Sequence, residues 1–322
     1  MKVLENILYG ILFGIWYVIS RLPFCVHYFF SDIMFLLLFY VIRYRRKVVH
    51  QNICSSFPDK TEKEQLKMER DFYAHFCDLI VEQIKYFSIS EEEMKKRMTF
   101  KNQEMLNESC RNGRPCGLFL GHYCNWEWVA STPMWFDERY VLCSQLYHPL
   151  ENKVFDRIMD YIRGRFGGVN IPVEQSLRHI VKHRKGGREI IVGFIADQVP
   201  LYHNIHYWTS FLNHPETPMF TGAEKIIKMF NMDVYFLHIR KVKRGYYEAD
   251  YQLMMRDPKN APEFAITELY TRMLEKNILE DPALWLWSHR RWKRTVKVWL
   301  EDLEEKRQRQ EENRKAALGN KS

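Results

Sequence analysis

From residue 48 onward the chain alternates between two hydrophobic rhythms. Short apolar or alternating runs stand at 117–120 (GLFL), 189–196 (EIIVGFIA), 233–239 (DVYFLHI) and 246–253 (YYEADYQL), each about the length of a strand. Helical spacing occupies the intervals 151–165, 173–185, 219–230 and 262–279. An earlier helix is announced by Thr61 with Glu64 three residues later, the signature of a capping box, and carries Phe72, Phe76, Leu79, Ile80 and Phe87 at helical intervals. Strands alternating with helices predict a layered α/β domain over 48–300, with a largely parallel or mixed sheet flanked by helices. The last two strands are separated only by RKVKRG, a spacing that suits a hairpin. Residues 301–322 form a charged carboxy-terminal tail with almost no apolar stripe, read as a solvated helix or frayed end.

Residues 1–47 follow a different rule. NILYGILFGIWYVIS (6–20) carries no charge, and LPFCVHYFFSDIMFLLLFYVI (22–42) is interrupted only by His27 and Asp32. A single membrane span needs about 20 apolar residues. The first run is too short, and the second holds an acid. Helices that anchor the protein to a membrane are expected, as one span, a hairpin, or segments lying in the interface. A cleaved signal peptide lacks its small-residue cleavage site, and a buried core helix is the alternative. Arg43, Arg45, Arg46 and Lys47 close the segment and favour a cytoplasmic flank beside anionic headgroups.

Composition narrows the classes. Apolar residues make up 46% of the 322, enough for a large core, and the net charge is +8. That surplus suits a membrane surface, an acidic partner or nucleic acid. No nucleic-acid-binding module is recognisable, so that partner is not expected. The seven cysteines are scattered through the first half without a CxxC pair, which fits reduced thiols rather than a disulfide framework or a zinc site.

The candidate chemistry lies in GLFLGHYCNWEW (117–128), where a histidine follows the end of a strand and Glu127 comes five residues later. On one helix, residues five apart point about 140° away from each other. His122 and Glu127 can meet only if His122 precedes a helix that Asn125 caps and Glu127 begins. Glu127 would then hold one ring nitrogen and leave the other free as a base. A satisfied core histidine is the bland alternative. The spacing is poor for a metal site, and Cys124 is a weak candidate nucleophile between bulky neighbours.

GHYCNWEW resembles the H-x4-D/E block of glycerolipid and lipid A acyltransferases. NICSSFPD (52–59), DFYAHFCDLIVEQIK (71–85), YHPLENKVFDRIMDYIRGRFGG (147–168), FIADQVP (194–200), TPMFTGAEKIIK (217–228) and ALWLWSHRRWKR (283–294) are similar, in order, to segments of the late acyltransferases of lipid A assembly. The likeness covers about residues 1–295. The Phe-Pro-Glu-Gly motif of lysophosphatidate acyltransferases is absent, which counts against a phospholipid acceptor. The family's Tyr-Arg-Pro reads Tyr147-His148-Pro149 here, so a phosphate-binding role at 148 is not carried over.

The resemblance implies a glycerolipid-acyltransferase-like fold on the cytoplasmic face of the bacterial inner membrane. It implies transfer of an acyl chain from acyl carrier protein, as co-substrate, to a hydroxyl of a lipid A precursor. No cofactor or metal is required, because the thioester is already activated. His122 would be the base and Glu127 its counter-charge. Arg165, with Arg163 as the competing choice, or amides at a helix start after His122, would meet the oxyanion. Asn125, Asp197, Gln198, His289, Arg290 and Arg291 complete the residues expected around the substrates, with Asp197 orienting a basic residue or the acceptor sugar or merely forming a turn. Phe119, Trp126 and Trp128 are candidates for the apolar groove. A lysophospholipid or aminolipid acceptor is the alternative within enzymes. A non-catalytic membrane or nucleic-acid binder is the alternative outside them.

Overall fold

The computed structural model describes residues 2–185 and 187–319. Two apolar helices come first, α1 (Lys2–Ser20) and α2 (Phe24–Leu36), the latter ending in a π-helical turn, Leu37–Val41. Then follow α3 (Arg46–Ser56), α4 (Glu62–Tyr86), α5 (Glu91–Arg97), β1 (Met98–Lys101), α6 (Glu104–Arg111) and β2 (Cys116–Leu120). A 3-10 helix at Trp128–Trp135 precedes β3 (Val141–Tyr147), α7 (Lys153–Gly164), β4 (Val169–Pro172), α8 (Ser176–Lys185) and β5 (Glu189–Ile195). The chain continues through β6 (Trp208–Phe211), β7 (His214–Pro218), α9 (Gly222–Phe230), β8 (Asp233–Lys243), β9 (Tyr246–Met255), α10 (Ala265–Glu280) and α11 (Val296–Gly319). Residues 320–322 of the charged tail lie outside the described residues.

The main sheet has the order β1-β9-β8-β2-β5-β3-β4. Every neighbouring pair is parallel except β8 and β9, which form the hairpin that their short spacer allows. The α/β class and the largely parallel mixed sheet match the sequence pattern. β2 lies between β8 and β5 with all five residues buried, which is why it reads as a continuous apolar run. The capping box of α4 is formed: the Glu64 amide donates to Thr61 Oγ1 at 3.4 Å, and the Thr61 amide to Glu64 Oε2 at 2.8 Å.

Strands β1, β3 and β4 left weaker sequence signals. β1 and β4 are four-residue edge strands, and β3 (VLCSQLY) carries Ser and Gln in its second half. Gln145 and Tyr147 face a cavity rather than a packed layer, so the apolar run stops early.

The amino-terminal helices lie along the body. Phe13 of α1 packs edge-on against Phe87 and Tyr161, and Trp16 against Phe155 of α7. On α2, Ser31 donates to Asp78 at 2.7 Å and Tyr28 to Glu82 at 2.9 Å, both acceptors on α4. Asp32, the acid that interrupts the second apolar run, pairs with Arg244 at 2.7 Å. The hairpin tip that supplies Arg244 turns at Gly245, where φ is +74° and a Cβ would stand 1.9 Å from the Tyr28 hydroxyl. Ile7, Ile11, Ile15 and Val18 remain exposed along α1, as do Phe29, Phe30, Val41 and Ile42 along and just beyond α2.

Gly245→Ala therefore meets both a left-handed backbone and a filled space. A loss of about 1–3 kcal/mol in urea unfolding of the detergent-solubilised protein is expected. A stability equal to the parent would mean that the hairpin tip does not hold α2.

Candidate active site

The strands β2, β5 and β3 run parallel, so their carboxyl ends meet at one edge of the sheet. In the register of β2 with β5, Phe119 stands beside Phe194 and Leu120 beside Ile195. Two residues further, the same register sets His122 beside Asp197. His122 Nδ1 donates to Asp197 Oδ1 at 2.6 Å, and the His122 backbone amide donates to Oδ2 at 2.8 Å. Trp285 Nε1 adds a third donor to Oδ2, at 2.9 Å. Gly121 permits this approach: a Cβ there would lie 2.5 Å from Leu274 Cδ1 and 3.3 Å from Asp197 Oδ2.

This corrects the expected pairing. Glu127 is not the partner of the ring. It stands at the turn before the 3-10 helix and takes a two-pronged ion pair from Arg163 of α7, Nε to Oε2 at 3.0 Å and Nη2 to Oε1 at 2.7 Å. Of the two arginines, Arg163 is the one that lines the cavity. Arg165 is turned away: its guanidinium donates to the carbonyls of Tyr86 and of Ile89, the latter at 3.0 Å, closing the end of α4. One residue of helix separates the two arginines, and that is enough to point them to opposite tasks.

The turn that carries His122 is held from below and from the side. Asn125 is buried; its Nδ2 donates to Glu82 Oε2 at 2.6 Å, and its Oδ1 accepts the Trp128 amide at 3.1 Å, so it caps a 3-10 helix rather than the expected α-helix. Tyr247 also donates to Glu82 Oε2, at 2.7 Å. Burial is the main force on the Glu82 carboxyl, and although the tyrosine hydroxyls oppose it, the pKa is pushed up to about 7. From the other side the carboxy-terminal segment pairs with the turn: the Cys124 amide donates to Leu284 O at 2.9 Å, and the Leu286 amide to His122 O at 3.1 Å. The amides of Cys124 and Trp128 are therefore already bonded.

The remaining expected residues divide. Gln198 borders the cavity with its Nε2 3.3 Å from His122 Nε2. His289 Nε2 accepts the Val199 amide at 3.3 Å; burial, with Asp197 pulling the other way and Arg291 and His122 reinforcing it, lowers His289 to about 4. Arg290 is exposed on the surface. Arg291 is fully buried, donates to Pro218 O at 2.7 Å and does not line the cavity. Cys124 is also fully buried, and burial raises its thiol far above the ordinary range, which removes it as a nucleophile. Among the described residues no group of three or more His, Cys, Asp or Glu is placed to hold a metal ion.

His122 opens onto a cavity of about 740 Å³. Leu118, Leu120, Ile191 and Ile195 from the sheet, and Val129 and Pro133 from the 3-10 helix, contribute apolar wall. Trp126 lines it as expected, with its ring edge-on to His122 at 5.4 Å. Phe119 and Trp128 do not. Phe119 points to the opposite face and stacks on Tyr270, and Trp128 is buried edge-on against Phe24 and Tyr247.

Asp197 is fully enclosed. Burial alone would raise its pKa, but the His122 charge and the three donors outweigh that and bring it to about 2. For His122, burial pulls down while Asp197, through charge and hydrogen bond, and Glu127 pull up; the net is a pKa above the ordinary 6.5. One ring nitrogen is fixed by a buried carboxylate while the other faces an apolar cavity, an arrangement able to accept a proton there.

The comparison with known families agrees. The sequence model of the bacterial lipid A biosynthesis acyltransferases matches residues 1–294, and the chain belongs to that family. No curated protein matches it significantly.

The pairing has a measurable signature. The stabilisation that Asp197 gives is present above its ordinary 3.8 and lost as pH falls through about 2. That given by His122 is complete below 6.5 and lost as pH rises through its higher folded value. In a nitrogen NMR titration the His122 imidazole should release its proton above pH 6.5, and Asp197→Asn should lower that midpoint. A midpoint that Asp197→Asn leaves in place would show that the carboxylate is not its partner.

Proposed function

We propose that this acyltransferase moves a fatty acyl chain from the thioester of acyl carrier protein to a hydroxyl on a chain already borne by a lipid A precursor, with His122 as general base. The observation that carries this reading is the His122–Asp197 pair at the mouth of the 740 Å³ cavity. An alcohol is a weak nucleophile at neutral pH and needs its proton taken as it attacks.

In this reading Nε2 of His122 takes the hydroxyl proton while the oxygen bonds to the thioester carbon. Asp197 keeps the ring in the tautomer that leaves Nε2 free and steadies the imidazolium that forms. The tetrahedral oxyanion needs donors. Arg163 spends two N–H groups on Glu127 and retains others of its five, and Glu127 thereby aims the guanidinium. Collapse of the intermediate breaks the C–S bond, and the imidazolium returns its proton to the departing thiolate.

The apolar wall of the cavity suits acyl chains. The surplus of positive charge suits acyl carrier protein, which is acidic, and anionic lipid. Membrane attachment through α1 and α2 lying in the interface is supported by their exposed Ile, Val and Phe side chains, and by the tie of Asp32 to Arg244, which seats α2 on the body. The run Phe24–Val41 is long and apolar enough to cross a membrane, with a mean hydropathy of 1.8. Its polar ties to α4 favour the interfacial geometry, and the basic cluster at 43–47 favours the cytoplasmic face of the inner membrane.

His122→Ala should lower transfer about 10²–10⁴-fold, far beyond any share of the protein unfolded by loss of the buried Asp197 pair, which a urea melt of the same sample measures. Wild-type activity should decline as pH falls through the His122 midpoint, above 6.5, because the protonated ring is no base. The assay compares an acyl carrier protein thioester with a lipid A precursor against the same donor with a lysophospholipid. In cells lacking the protein, mass spectrometry of lipid A should show one secondary acyl chain missing. Unchanged lipid A would point to another acceptor.

A further inference from the structure

Two consecutive residues grip opposite edges of the same ring. Asp197 takes the Nδ1 proton at 2.6 Å, and the Gln198 side-chain nitrogen stands 3.3 Å from Nε2. With its proton on Nδ1, a neutral imidazole has a single lone pair at Nε2, and only a donor can satisfy it. The amide nitrogen of Gln198 is such a donor, so in the free enzyme the base already carries a hydrogen bond.

We propose that Gln198 holds the place that the acceptor hydroxyl takes on His122 Nε2, and yields it when the acceptor enters. This rests on His122 being the base. The lone pair lies in the ring plane and admits one good donor at a time. An acceptor O–H aligned for abstraction must therefore stand where the amide N–H now stands. Gln198 is free to leave: it borders the open cavity with Asn204 and His206 and is partly exposed, whereas Asp197 is enclosed by three donors. After proton transfer, Nε2–H becomes a donor. The amide, held as a donor to Nε2, therefore favours the neutral ring. A glutamate could only accept, and would hold the ring protonated. Gln198 is thus a positioning residue, and its amide marks the attack site of the acceptor oxygen.

The charged and titratable groups facing His122 are Asp197, Glu127, Arg163 and, from the carboxy-terminal segment, His289, which burial holds neutral near pH 7. None of them touches Nε2, so removing the Gln198 amide changes one contact of that atom. Gln198→Ala should tighten the dissociation constant of a lipid A precursor, measured without donor in detergent, about two- to tenfold, the factor that one neutral hydrogen bond is worth. It should also move the His122 NMR midpoint upward, because the neutral ring loses its donor. Gln198→Glu should move the midpoint up further and carry the acidic limb of activity with it, with turnover recovered at higher pH. Unchanged affinity together with an unchanged midpoint in Gln198→Ala would overturn the proposal. Weaker precursor binding would overturn it too, since the amide would then bind the acceptor rather than stand in for it. The titration does not depend on turnover. Were His122→Ala still active, the base reading would fail, whereas a shift in the Gln198 variants would still report the contact itself.

Discussion

The site depends on the parallel register of two strands. β2 and β5 pair so that Leu120 stands beside Ile195, and every residue just past the sheet edge inherits that alignment. His122 and Asp197 are far apart in sequence, yet neither has to reach for the other. A slip of one residue would carry Asp197 out of line with the ring and exchange the faces of a strand buried on both sides. The covered interior makes that slip costly. The same packing that stabilises the sheet thus sets a 2.6 Å contact at its edge.

Around this contact the protein places buried polar groups in series. Glu82 on α4 accepts from Tyr28 of α2, from Tyr247 of β9 and from Asn125 of the turn. Trp285 donates to Asp197, and Asn52 of α3 donates to the carbonyls of Trp287 and His289 at 2.8 Å. Such groups are expensive to bury unless their partners are in place. The network therefore tolerates few alternative arrangements of the turn. It also joins the apolar helix α2 to the residue that caps the 3-10 helix after His122, through the single carboxyl of Glu82.

Much of this was legible in the sequence. The central strands, the hairpin and the capped α4 follow from apolar periodicity and from Thr61 with Glu64. The edge strands did not stand out, because four residues open to solvent on one side carry little pattern. His122, Asn125, Arg163, Asp197 and Gln198 were all marked as candidates, but the pairing among them was not. Spacing along the chain drew Glu127 toward His122, whereas the true neighbour comes from another strand. One signal was available: FLGH and FIAD are similar apolar segments, and aligning two parallel strands on Phe119 and Phe194 puts the histidine opposite the aspartate. Arg165 was misplaced because neighbouring helix positions carry the same chemical signal and differ only in direction.

The pairing of residues 284–286 with the His122 turn has a consequence for how the protein is made. The front of the chain supplies apolar helices that can reach lipid early in synthesis. The segment that supplies Trp285 and brackets the turn emerges only near the end. A nascent chain can thus have made both apolar helices and His122 while the ring's carboxylate still lacks the indole that helps fix it. The order of the sequence separates the making of the apolar helices from the completion of the turn that carries His122.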